Sequence, residues 1–484
     1  MFNVLILIAN WMKIMITQSS VLEKFGLQYP FKFNKKSKLA LGYFCLMLLP
    51  FLATFSLDMA DKTTYATILT TVNVLAMMAF YMQFPLVSRL KSFSLFANID
   101  WNITHHKKIG LWLGIIFLLH PVLILAPRFL VSFDDGMHSL VSVITAPQML
   151  TGIIAWVGMI IWILIAIFKN TLNISYETWR FTHMLGLVTI MILATLHITS
   201  VGSHGQFQEK FNLIWWALCA TSVTMVLYNY FIKPRILRSK PFKLIDVAQV
   251  SSTDWQVTIE KKDASGFDFE AGQFVWLNTS KHSGGVKEHP FSIASCQADL
   301  PRVSFLIRNL GDYTSKLDTL KIGQNVYVDG PYGSINLAES SKAKAIVLIA
   351  GGAGIAPMLS LLRGLAEKND ARPIRLIYGN NRLDQMVLQD EIKALEKTMP
   401  NFKQQLVCNE EFNQEHREDI YQGVIDKDCI EGVFNSINNQ NSIEAKKDCT
   451  VYLCGPKPMI AGVNTSLKSL NIPKEHIHYE QLSF

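Results

Sequence analysis

The sequence predicts a multi-domain protein: a six-helix transmembrane bundle, then a small β-barrel, then an α/β domain. Three observations predict this. Most of the long apolar runs lie before about residue 232. From Lys233 onward the pattern changes to short, alternating, β-rich segments separated by turn residues. The run AIVLIA at 345–350 then reads as a buried parallel strand leading through glycines into a helix, which opens an α/β unit.

The six apolar runs fall at about 39–57, 64–86, 109–130, 148–168, 183–201 and 211–232. Each is long enough to cross a bilayer with some tilt. Lys35, Lys36 and Lys38, Arg89 and Lys91, Lys107 and Lys108, Lys169 and Arg180, and Lys233, Arg235 and Arg238 all fall on one side. Such basic flanks mark the cytoplasmic face. A multi-pass protein of the plasma (inner) membrane is therefore expected, with both termini and the C-terminal half cytoplasmic. These flanks also account for the net charge of +7, and no RNA- or DNA-binding motif is present, so nucleic acid is not an expected partner. The seven cysteines show no CxxC pair and no iron–sulfur spacing. The first seventeen residues are apolar with one lysine and no small-residue cleavage site, as in an interfacial helix or an extra span rather than a removable signal.

Inside the bundle, four histidines recur at one interval. His106 and His120 are fourteen residues apart in the third run, and His183 and His197 are fourteen apart in the fifth. On a helix that interval is about 40° short of four turns and about 21 Å along the axis, so both imidazoles of a pair leave nearly the same face at two depths. A lone histidine in a membrane span is commonly a helix contact or a proton relay. Four at matched spacing instead suit two haems, each held between one histidine from either helix. His105 competes with His106, but its interval to His120 places it about 60° past the face. Pro121 frees the carbonyl of Phe117 beside His120. With four ligating histidines no haem keeps an open position, so electrons leave at the haem edge. His138, Asp134, Asp135 and His204, in the two external loops, are candidates for gathering ferric ions or carrying protons.

In the C-terminal half, WQVTIEK, FVWL, VSFLIR and NVYVDG predict the barrel strands, and IRLIYG (374–379) and TVYLCG (450–455) predict further parallel strands beside AIVLIA. Gly351, Gly352 and Gly354 permit a sharp turn and close approach to a pyrophosphate at the N-terminus of the next helix, with Pro357 in its first turn. Residues 409–448 have no clear pattern.

HPFSIAS at 289–295, VDGPYG and LCGPKP, with FLIRNLGDYTS between them, resemble a ferredoxin reductase-type flavin and nicotinamide module. Together with IDWNITHHKKIG and YETWRFTHMLG they make the chain from about residue 85 resemble the ferric reductase and NADPH oxidase superfamily, in its bacterial members. The resemblance implies FAD, two b-type haems and NADPH or NADH as cofactors. It makes His106, His120, His183 and His197 the haem-iron ligands. It implies that His289, Pro290, Phe291 and Ser292 hold the flavin, with the aromatic along the isoalloxazine and the hydroxyl near N5; a histidine stands where soluble reductases have arginine. Arg308, with Gly311 and Thr314, corresponds to a pyrophosphate contact. Cys454, Gly455 and Pro456 correspond to the loop beside the nicotinamide, and Phe484 to a terminal aromatic covering the flavin, so that Cys454 and Phe484 flank the hydride transfer.

Arg382, after the second strand of the nucleotide domain, can pair with a 2′-phosphate and favours NADPH over NADH. The expected organisation is an N-terminal segment 1–38, a di-haem transmembrane domain 39–232, an FAD-binding β-barrel 240–338 and an NAD(P)H-binding α/β domain 340–484. The expected function is a transmembrane oxidoreductase that carries electrons from cytosolic NAD(P)H through FAD and haem to external Fe³⁺ chelate or O₂. The alternatives are an electron-transfer subunit that donates to a protein partner, and a metal or proton transporter with a regulatory reductase-like domain. Homo-oligomers and membrane partners are both compatible with the sequence.

Overall fold

The structure, a computed structural model, describes residues 35–57, 59, 63–89, 99–169, 171–172, 174–202, 208–261, 266–280, 287–411, 420–438 and 444–480. Most of the N-terminal segment, His204 and Phe484 lie outside the described residues. The chain divides between Val226 and Leu227 into two compact units.

The first unit is helical: α1 (Lys35–Ser56), α2 (Thr64–Val87), α3 (Ile99–Val131), α4 (Phe133–Thr145), α5 (Leu150–Phe168), α6 (Tyr176–Val201) and α7 (Glu209–Leu227). All but α4 belong to the six helices long and apolar enough to cross a membrane. Hydrocarbon offers no partner for a peptide group, so each segment must satisfy its own backbone as a helix. Hydroxyls inside the spans do the same locally, as when Thr70 donates to the Ala66 carbonyl and Thr195 to that of Met191. Thr63 caps α2 by accepting from the Ala66 amide, and α6 ends on Gly202 at φ +80°. Met191, Phe211 and Trp215 are buried in the bundle core, where the Tyr81 hydroxyl and Thr195 Oγ1 pair at 2.7 Å. Leu111 and Trp112 project outward, as a lipid-facing surface requires.

Two helices begin earlier than the hydropathy predicts. α3 starts at Ile99 rather than near 109, and α6 at Tyr176 rather than 183. Lys107, Lys108 and Arg180 interrupt an apolar window but are good helix formers, so the helix continues past the hydrophobic segment. The helix α4 was not anticipated. Ser132 caps it by accepting from the Asp135 amide, and Gly136 allows Phe129 to pack where a Cβ would lie 2.2 Å from its ring.

The second unit starts with a π-helical turn at Tyr228–Ile232 that leads into α8 (Lys233–Arg238). Lys233 is locked into a buried cluster: its Nζ lies 2.9 Å from Asp329 Oδ2 and donates to the Tyr332 hydroxyl, which in turn donates to Asp329 Oδ1 at 2.7 Å. Six antiparallel strands follow, β1 (Phe242–Gln249), β2 (Asp254–Glu260), β3 (Phe274–Asn278), β4 (His289–Ser292), β5 (Arg302–Arg308) and β6 (Asn325–Tyr332), in the order β4-β3-β6-β1-β2-β5. A bridge between Ile293 and Phe305 joins the two ends and closes the barrel over Leu244, Val257, Ile259 and Phe305.

The chain ends in a parallel sheet of order β10-β9-β8-β7-β11-β12, made of β7 (Ala345–Gly351), β8 (Ile374–Asn380), β9 (Phe402–Cys408), β10 (Ile420–Gln422), β11 (Cys449–Cys454) and β12 (Ile477–Glu480). Its helices are α9 (Ile355–Glu367), α10 (Gln389–Thr398), α11 (Lys427–Asn438), α12 (Ala445–Asp448) and α13 (Lys457–Ser469). Each Val, Ile and Leu of β7 is fully buried, a contribution of about 1.5–3 kcal/mol per side chain. The three expected strands are present. β9 escaped notice because Lys403, Gln404 and Gln405 interrupt its apolar run, and the patternless stretch contributes β10, α11 and α12.

Candidate functional site

In the membrane unit His106 meets His183 across α3 and α6, and His120 and His197 share one cavity. The His106 and His183 rings lie with centres 6.4 Å apart and planes at 87°. An imidazole nitrogen bonds a metal at about 2 Å, so two rings on opposite sides of one ion have centres about 6 Å apart. His120 and His197 line one cavity of about 490 Å³, with Asn73, Phe117, Trp156 and Met159 among its walls. The helices that carry the histidines stand apart, while α6 packs along α5 instead. Glycine permits that packing at Gly152, where a Cβ would lie 2.5 Å from His197 Nδ1. His105 turns away from the pairs: its Nδ1 is 2.8 Å from the Trp101 carbonyl and its ring stacks on Trp101 at 3.9 Å. The spacing of the His106 and His183 rings and the cavity between His120 and His197 are each compatible with imidazoles on opposite sides of a haem iron. Among the described residues no three His, Cys, Asp or Glu side chains converge as a cation site, so His138, Asp134 and Asp135 do not form one.

On the barrel, the motif His289–Ser292 forms β4 at the sheet end. The Ser292 hydroxyl is buried without a hydrogen-bond partner among the described residues, an orphan that a polar edge of a flavin would satisfy. His289 stacks on Tyr313, with ring centres 4.0 Å apart, and Phe291 lies 6.0 Å from the same ring. Tyr313 was missed, although it stands between Gly311 and Thr314 in the quoted motif. Burial pushes its phenol up to about 12, so its hydroxyl is neutral where it meets Thr279 Oγ1 at 3.1 Å. Thr314 Oγ1 accepts from the amides of Leu310 and Gly311 and shapes their turn.

Arg308 sits where barrel and α/β domain meet. Its Nε and Nη2 each donate to buried Asp254 at 3.0 Å, and Nη2 also reaches Asn380 Oδ1 at 3.3 Å. Its Nη1 abuts the glycine turn, since a Cβ on Gly352, at φ +54°, would lie 2.5 Å away. The other glycines have equally local reasons. A Cβ on Gly354 would lie 2.2 Å from the Cys454 carbonyl, and one on Gly351 would strike Met459. Thus the turn after β7 presses on the loop Cys454–Pro456, and Pro357 is buried in the first turn of α9. Cys454 lies in register between Ala350 and Glu480. Glu480, also missed, is buried and accepts from the amides of Ser334 and Ile335, tying the last strand to the barrel. Arg382 is exposed and forked onto Asp384, at 2.9 and 3.2 Å, which raises the arginine and lowers the aspartate from their ordinary values. Glu410 stands 3.9 Å away.

Three protein families match the chain: "Ferric reductase like transmembrane component" over residues 66–196, "FAD-binding domain" over 239–336 and "Oxidoreductase NAD-binding domain" over 348–465. The reductase component of propane 2-monooxygenase from Mycolicibacterium smegmatis is 32% identical over 223 residues, which is 45% of this chain and 60% of that one. The electron transfer component of toluate 1,2-dioxygenase from Pseudomonas putida is 28% identical over 242 residues, 49% of this chain and 66% of that one. The chain therefore spans about 60% of the length of such curated relatives. The flavohem-like FAD/NAD binding domain of nitric oxide dioxygenase from Vibrio cholerae aligns with a TM-score of 0.42 at 22% identity, covering 50% of this chain and 97% of that one. One polypeptide thus joins a ferric reductase-like transmembrane component to an FAD-binding domain and an oxidoreductase NAD-binding domain.

Proposed function

We propose that the protein carries electrons from NAD(P)H through FAD and two b-type haems to an acceptor across the membrane, either chelated Fe³⁺ or O₂. The observation that carries this reading is the facing of the His106 and His183 rings at one depth of the bundle and the cavity shared by His120 and His197 at another. Flavin, when bound, supplies the conversion of a two-electron hydride donor into single electrons. The basic flanks of the spans support a cytoplasmic C-terminal unit at an inner or plasma membrane.

The protein's own groups then have definite tasks. The amides of the turn Gly351–Gly354 and of the first turn of α9 receive the nucleotide pyrophosphate. Ser292 Oγ offers a hydrogen bond at the flavin edge while Phe291 flanks its ring. The loop Cys454–Pro456 would hold the nicotinamide, and Phe484, which lies outside the described residues, is the aromatic that would shield the flavin. Arg382, released from Asp384, pairs with a 2′-phosphate and makes NADPH the preferred donor.

The test is an absorption spectrum of the purified protein under argon before and after NADPH, followed by ferric citrate or air. The expected result is a Soret band that shifts on reduction without added proteins and returns with one of the two oxidants. A protein expressed with ample haem that shows no Soret band overturns the reading. Reoxidation only by a protein acceptor replaces the soluble acceptor with a partner.

A further inference from the structure

We propose that Asn73 is a positioning residue that sets the electronic character of one haem site through His120. The inference rests on the haem reading above. Asn73 lies on α2, within an apolar span, and lines the same cavity as His120 and His197. Its Oδ1 is 3.1 Å from His120 Nδ1. A side-chain amide within hydrocarbon is costly unless it is paired, so the contact has a physical reason to persist.

The ligand role fixes the direction of the bond. To offer a lone pair to iron at Nε2, neutral His120 must carry its proton on Nδ1 and donate it to Asn73 Oδ1. In the reverse arrangement the amide NH₂ donates to Nδ1, which leaves the proton on Nε2 and blocks ligation. With Oδ1 toward the ring, Asn73 stabilises the ligating tautomer and holds the ring plane. Among the described residues, Nδ1 of His106 and of His183 at the other depth has no hydrogen-bond partner, and neither has Nδ1 of His197, so His120 is the one of the four with an accepted N–H. A ligating imidazole whose other N–H is accepted becomes a stronger donor to the metal. Stronger donation favours ferric over ferrous iron, so the contact lowers the reduction potential of the His120 site and leaves the His106 site unaffected.

The experiment is a redox titration of the purified, haem-loaded protein, followed in the haem absorption bands and by electron paramagnetic resonance of the low-spin ferric signals. Asn73→Leu keeps the volume and removes the acceptor; Asn73→Ala removes it without adding bulk; Asn73→Gln keeps an acceptor. Leu and Ala are expected to move one of two haem steps to higher potential and to alter one low-spin signal. Gln should keep that step nearer to its original position. In a His183→Leu background, which lacks the other site, the remaining step should be the one that moves. If Asn73→Leu does not assemble, Asn73→Ala reads the same shift. Two haem steps unchanged in the Ala variant, or both moved equally, overturn the proposal. Absence of haem from the unmodified protein defeats the haem reading itself and is a distinct result.

Discussion

The bundle and the α/β domain place their functional residues by opposite means. Around the turn after β7 the chain is crowded, and Gly351, Gly352 and Gly354 are glycine because Met459, Arg308 and the Cys454 carbonyl occupy the space of a side chain. Between α3 and α6 the chain is held apart, and the space contains the reaching imidazoles of His120 and His197. A nucleotide bound by backbone amides requires side chains to be removed. A haem bound by side chains requires backbones to stand back. In the proposed reading one polypeptide holds two kinds of cofactor, one by side chains that reach and the other by side chains that are missing.

The comparison can be broken most severely in the bundle. His197→Leu should abolish reduction of an external acceptor and remove about half of the haem absorbance, while NADPH still bleaches the flavin; unchanged external activity would contradict the route. Next in size is Arg308→Leu, which leaves Asp254 buried without its fork. Loss of one partner of a buried pair costs about 3 kcal/mol, so thermal unfolding of the C-terminal unit should shift downward with the haem spectrum unchanged. An unaltered transition would show that Asp254 is satisfied otherwise.

Gly354→Ala sharpens the crowded side of the comparison. A methyl against the Cys454 carbonyl forces a shift that costs about 1–3 kcal/mol, and the KM for NADPH should rise about tenfold or more while that of the flavin-to-dye step stays the same. Ser292→Ala removes one hydrogen bond to the flavin, worth about 1 kcal/mol, so hydride transfer in stopped flow should slow by roughly fivefold to tenfold. A wild-type rate would leave the buried hydroxyl without a role. The smallest effect is expected of Arg382→Ala, since the side chain is exposed and already paired with Asp384. It should raise the KM for NADPH several-fold more than that for NADH at low ionic strength, and equal changes would remove the assignment.

Much of this was legible from residue order because helix period and hydrophobicity act locally. The fourteen-residue interval on α3 and α6 needs only helix geometry to place two imidazoles on one face. AIVLIA followed by glycines needs only strand and turn preferences. The role of Asn73 was not legible, because its partner lies 47 positions away and nothing local to α2 marks it. Tyr313 and Glu480 escaped for the same reason, since their contacts with His289 and with Ser334 join segments remote in sequence. His105 and His106 were separated by about one helical step in the sequence, and Trp101 decides between them by occupying the first.

By itself the sequence determined the spans, the histidine intervals, the barrel and the parallel sheet, because each follows from short-range periodicity and from which solvent, lipid or water, the side chains must meet. That Arg308 faces Asp254 and Gly352, that the Ser292 hydroxyl has no partner among the described residues, and that Asn73 meets His120 follow from the folded structure alone. Those are contacts between distant segments, and their energies depend on distance and burial, which no local pattern encodes.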